Sequence, residues 1–108
     1  MAKAVYRFPG TVVPVANSGS DAIEPGDVVS LTTRIGVAAS LIPAGDTGNV
    51  HVVGVFTFPK ASGAISQGDA VYFSTSTGKI TKTNTDVPAG WATEAAASGD
   101  ETVCVKIG

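Results

Sequence analysis

Charge is scarce in this chain. Lys, Arg, Asp and Glu make up 15% of its 108 residues and the net charge is −2, where soluble domains ordinarily carry about 25% charged residues. So little charge favours a surface partly covered by copies of the same chain or by a larger assembly, although a small-residue β domain with a Ser/Thr exterior would show the same composition. The cations are spread as Lys3, Arg7, Arg34, Lys60, Lys79, Lys82 and Lys106. Only Lys79 and Lys82 are close together, so no basic stripe exists to displace counterions, and no nucleic-acid partner is expected. The single Cys104 cannot form an intrachain disulfide, and between Val103 and Val105 it reads as a small hydrophobe. No stretch approaches the ~18 apolar residues of a membrane span, and the N-terminus has no apolar signal core, so no membrane partner is expected either.

The residues that carry chemistry are equally sparse. One Cys and one His cannot supply the three or four ligands of a zinc site. Asp27, Asp46, Asp69 and Asp100 fall in separate turns rather than at the short spacing of a calcium loop. The only imidazole, His51, sits in a β-branched run with no Gly-x-Ser-x-Gly elbow anywhere, which argues against a hydrolytic triad. The only Gly-Lys, Gly78-Lys79, has Phe73 where a P-loop needs its first Gly and Ile80 where it needs a hydroxyl. Any two of the nine acids remain available for a glycosidase pair, but they lie mostly at turns, where capping is their ordinary role. The expectation is a protein without enzymatic activity, metal or other cofactor.

What the chain does have is a phrase written twice. Ala22-Ile23-Glu24-Pro25-Gly26-Asp27-Val28-Val29-Ser30-Leu31-Thr32-Thr33 returns as Ala64-Ile65-Ser66-Gln67-Gly68-Asp69-Ala70-Val71-Tyr72-Phe73-Ser74-Thr75. Gly-Asp recurs at Gly45-Asp46 and Gly99-Asp100, each ahead of a Val-rich stretch. Glycine permits the positive φ of tight turns, and Asp can accept hydrogen bonds from backbone amides just beyond, so each copy reads as turn followed by strand.

No segment holds a helical period; the best candidate, 93–98, is too short to stand alone. Strands are expected at 11–15, 27–32, 34–39, 50–58, 70–74, 78–82, 90–95 and 102–107, a spacing typical of sandwiches and barrels. Pro14 suits an edge strand. Residues 74–78 form a hairpin connection, residues 17–21 a polar surface loop. The fold class is all-β, a small antiparallel barrel or sandwich. Residues 1–20 are read as an extended N-terminal arm and first edge strand, and 21–108 as a single β domain. The stretch 50–58 is apolar on both faces, with Val53, Val55 and Thr57 on one and His51, Phe56 and Phe58 off it. Such a strand is either central or covered by another chain.

From about Ala22 to Ile107 the chain resembles the capsid cement, or head decoration, proteins of tailed bacteriophages. The resemblance is carried by Pro25-Gly26-Asp27-Val28-Val29, Ile35-Gly36-Val37-Ala38, Val53-Gly54-Val55-Phe56-Thr57-Phe58-Pro59-Lys60, Ile65-Ser66-Gln67-Gly68-Asp69-Ala70-Val71-Tyr72-Phe73, Gly78-Lys79-Ile80-Thr81 and Gly90-Trp91-Ala92-Thr93-Glu94 running on to Asp100. Members of this group are often labelled recombinase-like, a label that the missing P-loop opposes here. The resemblance implies a non-enzymatic β domain made in the host cytoplasm. In the virion it binds the outer surface of the capsid, the major capsid protein, as a homo-oligomer. By analogy with quasi-threefold shell sites, a trimer is favoured over a dimer.

The residues expected at the shell or sister-subunit interface are Val5, Tyr6 and Phe8 in the arm, which Pro9 and Gly10 detach from the sheet, followed by Phe56, Phe58 and Trp91. Each of the three strand aromatics, taken singly, reads more readily as ordinary core. The alternative function is a small-ligand or glycan-binding β module, which should gather aromatics with Asn and Asp around one rim. Seven aromatics scattered singly or in pairs lend that little support.

Overall fold

Each Gly-Asp dipeptide closes a turn by the same hydrogen bonds. The Asp N–H donates to the carbonyl three residues earlier: Asp27 to Glu24, Asp46 to Pro43 and Asp100 to Ala97 at 3.0 Å, and Asp69 to Ser66 at 3.1 Å. In three turns the Asp carboxylate accepts the N–H of that same earlier residue, from Glu24 and Ser66 at 2.9 Å and from Ala97 at 2.8 Å. The side chain thus points back across the turn rather than to amides beyond it. Gly26, Gly45 and Gly68 take φ of 88°, 85° and 89°, where a side chain would be strained. Pro43 has no N–H to offer Asp46. That turn is held instead by Asn17, whose N–H donates to Asp46 O, whose carbonyl accepts from Gly45 N, and whose Nδ2 donates to Ile42 O at 3.0 Å. Asn17, expected in a polar surface loop, is therefore buried.

The computed structural model describes residues 2–108, and the regular elements among them are all strands. One antiparallel sheet contains β1 (Val12–Ala16), β2 (Val28–Ser30), β3 (Ile35–Ala38) and β4 (Thr47–His51) in the order β1-β4-β3-β2. A second contains β5 (Gly54–Pro59), β6 (Ala70–Ser74), β7 (Lys79–Thr81), β8 (Val87–Ala92) and β9 (Thr102–Ile107) in the order β5-β9-β8-β6-β7. Pro14 lies on an edge strand, as expected. The single strand expected over 50–58 is instead broken at Val52-Val53. His51 ends β4 in one sheet and Gly54, at φ 136°, turns the chain into the other. The edges β5 and β7 meet at one parallel bridge, Lys60 with Ile80, but the sheet is not closed along its length, so the fold is sandwich-like.

The repetition seen in the sequence extends through the whole architecture. On β1, Val12, Val13, Pro14, Val15 and Ala16 face His51, Val50, Asn49, Gly48 and Thr47 of β4. On β5, Val55, Phe56, Thr57, Phe58 and Pro59 face Lys106, Val105, Cys104, Val103 and Thr102 of β9 in the same register. Val37 pairs with His51 and Ala38 with Val50, just as Trp91 pairs with Lys106 and Ala92 with Val105. The bridge joining the first two turns, Ile23 with Ile42, has its counterpart in Ile65 with Ala96. Strand β7 alone has no equivalent. After the edge strand of each half comes a buried polar residue that ties down the later turn. Asn17 does so in the first half. In the second, Lys60 Nζ donates to Ala61 O, Ser98 O and Asp100 O at 3.0, 3.3 and 3.4 Å.

Most of the core lies inside the second sheet, built from Phe58, Val71, Phe73, Ile80, Val103, Val105 and Ile107, with Ile35 and Val37 reaching in from the first. Each such side chain is worth roughly 1.5–3 kcal/mol when fully buried. The halves fill the space beneath their turn bridges in opposite ways. The first sets Ile42 against Gly48, and a Cβ at Gly48 would run into Ile42 Cγ1 and Cδ1. At the matching positions the second half has Ala96 and Val103.

Gly48→Val is therefore expected to destabilise by overpacking, about 1–3 kcal/mol, and Ile42→Ala by cavity formation, about 2–5 kcal/mol. The double variant, which reproduces the second half's pairing, should lose less than the sum of the two. Urea unfolding of the four proteins measures this, and strict additivity would disprove the size exchange.

Asp69 differs from the other turn carboxylates in also meeting Lys82 Nζ, at 3.0 Å. The Ser66 N–H, and then the Lys82 ammonium, hold its carboxyl below the ordinary value. A carboxyl held low stabilises the fold above its ordinary value near 3.8, and that contribution disappears as pH falls through the lower folded-state value. The urea midpoint should therefore decline on acidification below about pH 4. Asp69→Asn should show a smaller decline. A decline of the same size in both proteins would place the acid sensitivity elsewhere.

Candidate interaction surfaces

Apart from Leu41, exposed by itself next to the Ile42 bridge, two sets of large apolar side chains are left in solvent. The first is the N-terminal segment. Residues 2–9 are exposed throughout and outside any strand, with Val5 82%, Tyr6 79% and Phe8 50% exposed. Lys3 and Arg7 alternate with them, so the segment is both apolar and cationic.

The second set lies on the outer face of the second sheet. Strand register places Val55, Lys106, Trp91 and Ala70 in one row across β5, β9, β8 and β6. Val55 is 57% and Trp91 44% exposed, and Val53 is exposed beside them. The Lys106 ammonium turns away to the Gly108 carbonyl at 3.0 Å, so its stem adds to the apolar row. Gly90, at φ 142°, lies opposite a register shift between Val71 and Tyr72, and this bulge leaves Ala89 and Ala92 pointing inward while Trp91 points out. A side chain at Gly90 would strike the Lys106 carbonyl.

Of the six residues expected at an interface, Val5, Tyr6, Phe8 and Trp91 are on the surface. Phe56 is half-buried, its ring 5.9 Å from His51 and 6.3 Å edge-on from Phe58. Phe58 is 2% exposed and belongs to the core. Among the described residues no ring pairing joins Tyr6 or Phe8 to Trp91 within one chain. Val53 and Val55 complete the Trp91 patch; the sequence sets them on one apolar face of 50–58 but does not place them among the six expected interface residues. Their signal was the apolar alternation on the far side of Phe56 and Phe58.

The chemistry-bearing groups stay apart. Among the described residues no three His, Cys, Asp or Glu side chains gather as metal ligands would. Cys104 Sγ lies 3.6 Å from Thr57 Oγ1 on the outer face. A groove of about 540 Å³ between the halves is lined by Ile23, Val28, Ser30, Pro59, Phe73 and Gly78 among others, with Asp27, already capping its turn, as the one titratable side chain. Among the described residues no helix is long and apolar enough to cross a membrane.

No curated protein and no solved structure matches the chain. The sequence profile of one family, described as phage cement protein, matches residues 8–107. The match begins earlier than the resemblance over Ala22 to Ile107, so it takes in β1 and with it both halves of the repeat. It leaves out Val5 and Tyr6 but includes Phe8 and Trp91. A match over nearly the whole length, on an all-β fold whose unpaired apolar surface faces outward, places the chain among capsid-associated structural proteins: it belongs to the phage cement protein family.

Proposed function

We propose that this protein decorates the outer surface of a phage head as a homo-oligomer and holds the shell together against the pressure of packed DNA. The observation that carries the reading is the family match over residues 8–107. A subunit bridging two capsomers adds interface that must break before they separate. Each bridge can be modest, at or below the ~1,200–2,000 Å² of a standard interface, because an oligomer that grips several capsid subunits gains avidity through effective concentration. A trimer suits a quasi-threefold site better than a dimer does.

Val5, Tyr6, Phe8 and Trp91 are the contact residues of this reading, since their side chains are apolar and uncovered. The protein does no chemistry in it, and the major capsid protein is its partner. A ligand-binding module is the competing class, supported by no described rim of aromatics with Asn and Asp.

Light scattering followed by co-sedimentation with expanded, undecorated heads tests the proposal. A discrete oligomer that pellets at saturable stoichiometry is the expected result. A monomer that stays in the supernatant would favour the ligand-binding module. Deleting residues 1–10 should leave the fold intact by circular dichroism while reducing head binding, and full binding by the truncated chain would remove the arm from the contact.

A further inference from the structure

The two halves expose the same face to different fates. In the first half, the row Val12, His51, Val37 and Val28 is turned toward the second half. Val37 belongs to the common core, Val28 packs against it, and the Phe56 ring lies 5.9 Å from His51. In the matching row of the second half Val55, Trp91 and Ala70 are exposed and Lys106 is half-buried, and no strand of the described residues packs over them. A face that this fold covers once with its own chain is therefore left open once.

We infer that the open face of each copy is covered by residues 2–10 of a second copy. Val53, Val55 and Trp91 alone offer well under the ~800 Å² that each partner of a standard interface buries. An aromatic strap is needed to make up the difference, and Tyr6 and Phe8 supply one. In an extended arm Tyr6 and Phe8 fall on one side, as Phe56 and Phe58 do where they enter the core from β5.

The charges agree with this placement. Beyond the apolar row the outer face of β9 runs through Cys104 and Thr102 to a shallow cleft at the start of the strand, which Glu94, Asp100 and Glu101 also line. Glu101 lies five positions before Lys106, and Lys3 five positions before Phe8. An arm laid along β9 with Phe8 over the Trp91 row brings position 3 to the acidic end, about 17 Å away at the ~3.3 Å rise of extended chain. The Lys3 side chain leaves the arm on the side opposite Phe8, and its flexible four-carbon stem lets the ammonium fold back to the carboxylates. The contact joins different surfaces, so it generates a ring where the rotation closes.

The inference rests on the decoration reading for its purpose, but it is tested in solution without heads, so failure of one is distinguishable from failure of the other. Trp91 is the only tryptophan and reports directly on whether the face is covered. The full chain should scatter as a multiple of its 10.8 kDa mass, with Trp91 emission shifted to the blue. Tyr6→Ala/Phe8→Ala, which removes side chains exposed in a single chain, should scatter as a monomer with emission shifted to the red. Val55→Glu should do the same from the other side of the contact, provided its circular dichroism is native. An oligomer that persists in the arm variant, or disassembly without a change in Trp91 emission, would overturn the inference. So would a monomeric full chain whose emission moves only when heads are added, because the face would then belong to the shell. An assembled full chain that obeys these rules yet fails to pellet with heads would uphold the arm contact and reject the decoration reading.

Discussion

Two reciprocal pairs of backbone hydrogen bonds hold the fold in place. Ile23 and Ile42 exchange both N–H···O bonds at 2.9 and 2.8 Å, and Ile65 and Ala96 do the same at 2.9 and 2.8 Å. Each pair fastens the turn before β2 to the turn before β4, or the turn before β6 to the turn before β9. With the turns locked together, the strands that leave them have one register available, because a one-residue slip would exchange every buried side chain for an exposed one. The Asp carboxylates stiffen the turns, and Asn17 and Lys60 satisfy carbonyls that the turns leave inside the protein. Removing a buried partner of this kind costs more than the hydrogen bond is worth, since the group left behind stays dry and unpaired.

Where local chemistry decides, the sequence is a good guide. The strands at 70–74 and 102–107 fall where Val, Tyr, Phe and Ile alternate, and the hairpin between β6 and β7 forms where the polar 74–78 stretch reaches Gly78. The Gly-Asp turns were equally visible. The break at Val52-Val53 was not, because Val50, Val52, Val53 and Val55 continue the strand pattern across it and a single Gly54 does not announce a change of sheet. Asn17 was misplaced for a related reason. Its burial answers the missing N–H of Pro43 through bonds to Ile42, Gly45 and Asp46, residues distant in sequence that meet it only through the fold.

The interface residues were legible in part. Alternation along 53–58 showed both faces of that strand to be apolar, and only tertiary structure determines which face goes inward. Phe56 and Phe58 turn to the core and Val53 and Val55 to solvent. Trp91 reaches the surface through a bulge opposite Val71/Tyr72 that no residue pattern marks. The full extent of the repeat was hidden because the halves conserve register rather than residue type: Val13 stands for Phe56, Val15 for Phe58, and Gly48 for Val103. Large and small side chains have traded places while the volume beneath each bridge stays filled.

Because every strand pairing lies within one half, the order of synthesis acquires a physical meaning. Once residue 51 has left the ribosome, all four strands of the first sheet are available and can pair without waiting for downstream sequence. What that nascent sheet lacks is cover for Ile35 and Val37, whose packing partners Phe58 and Phe73 are translated later. During that interval the emerging chain carries a strand-paired but half-naked sheet, and the short Val52-Val53 link keeps the missing half close at hand when it arrives.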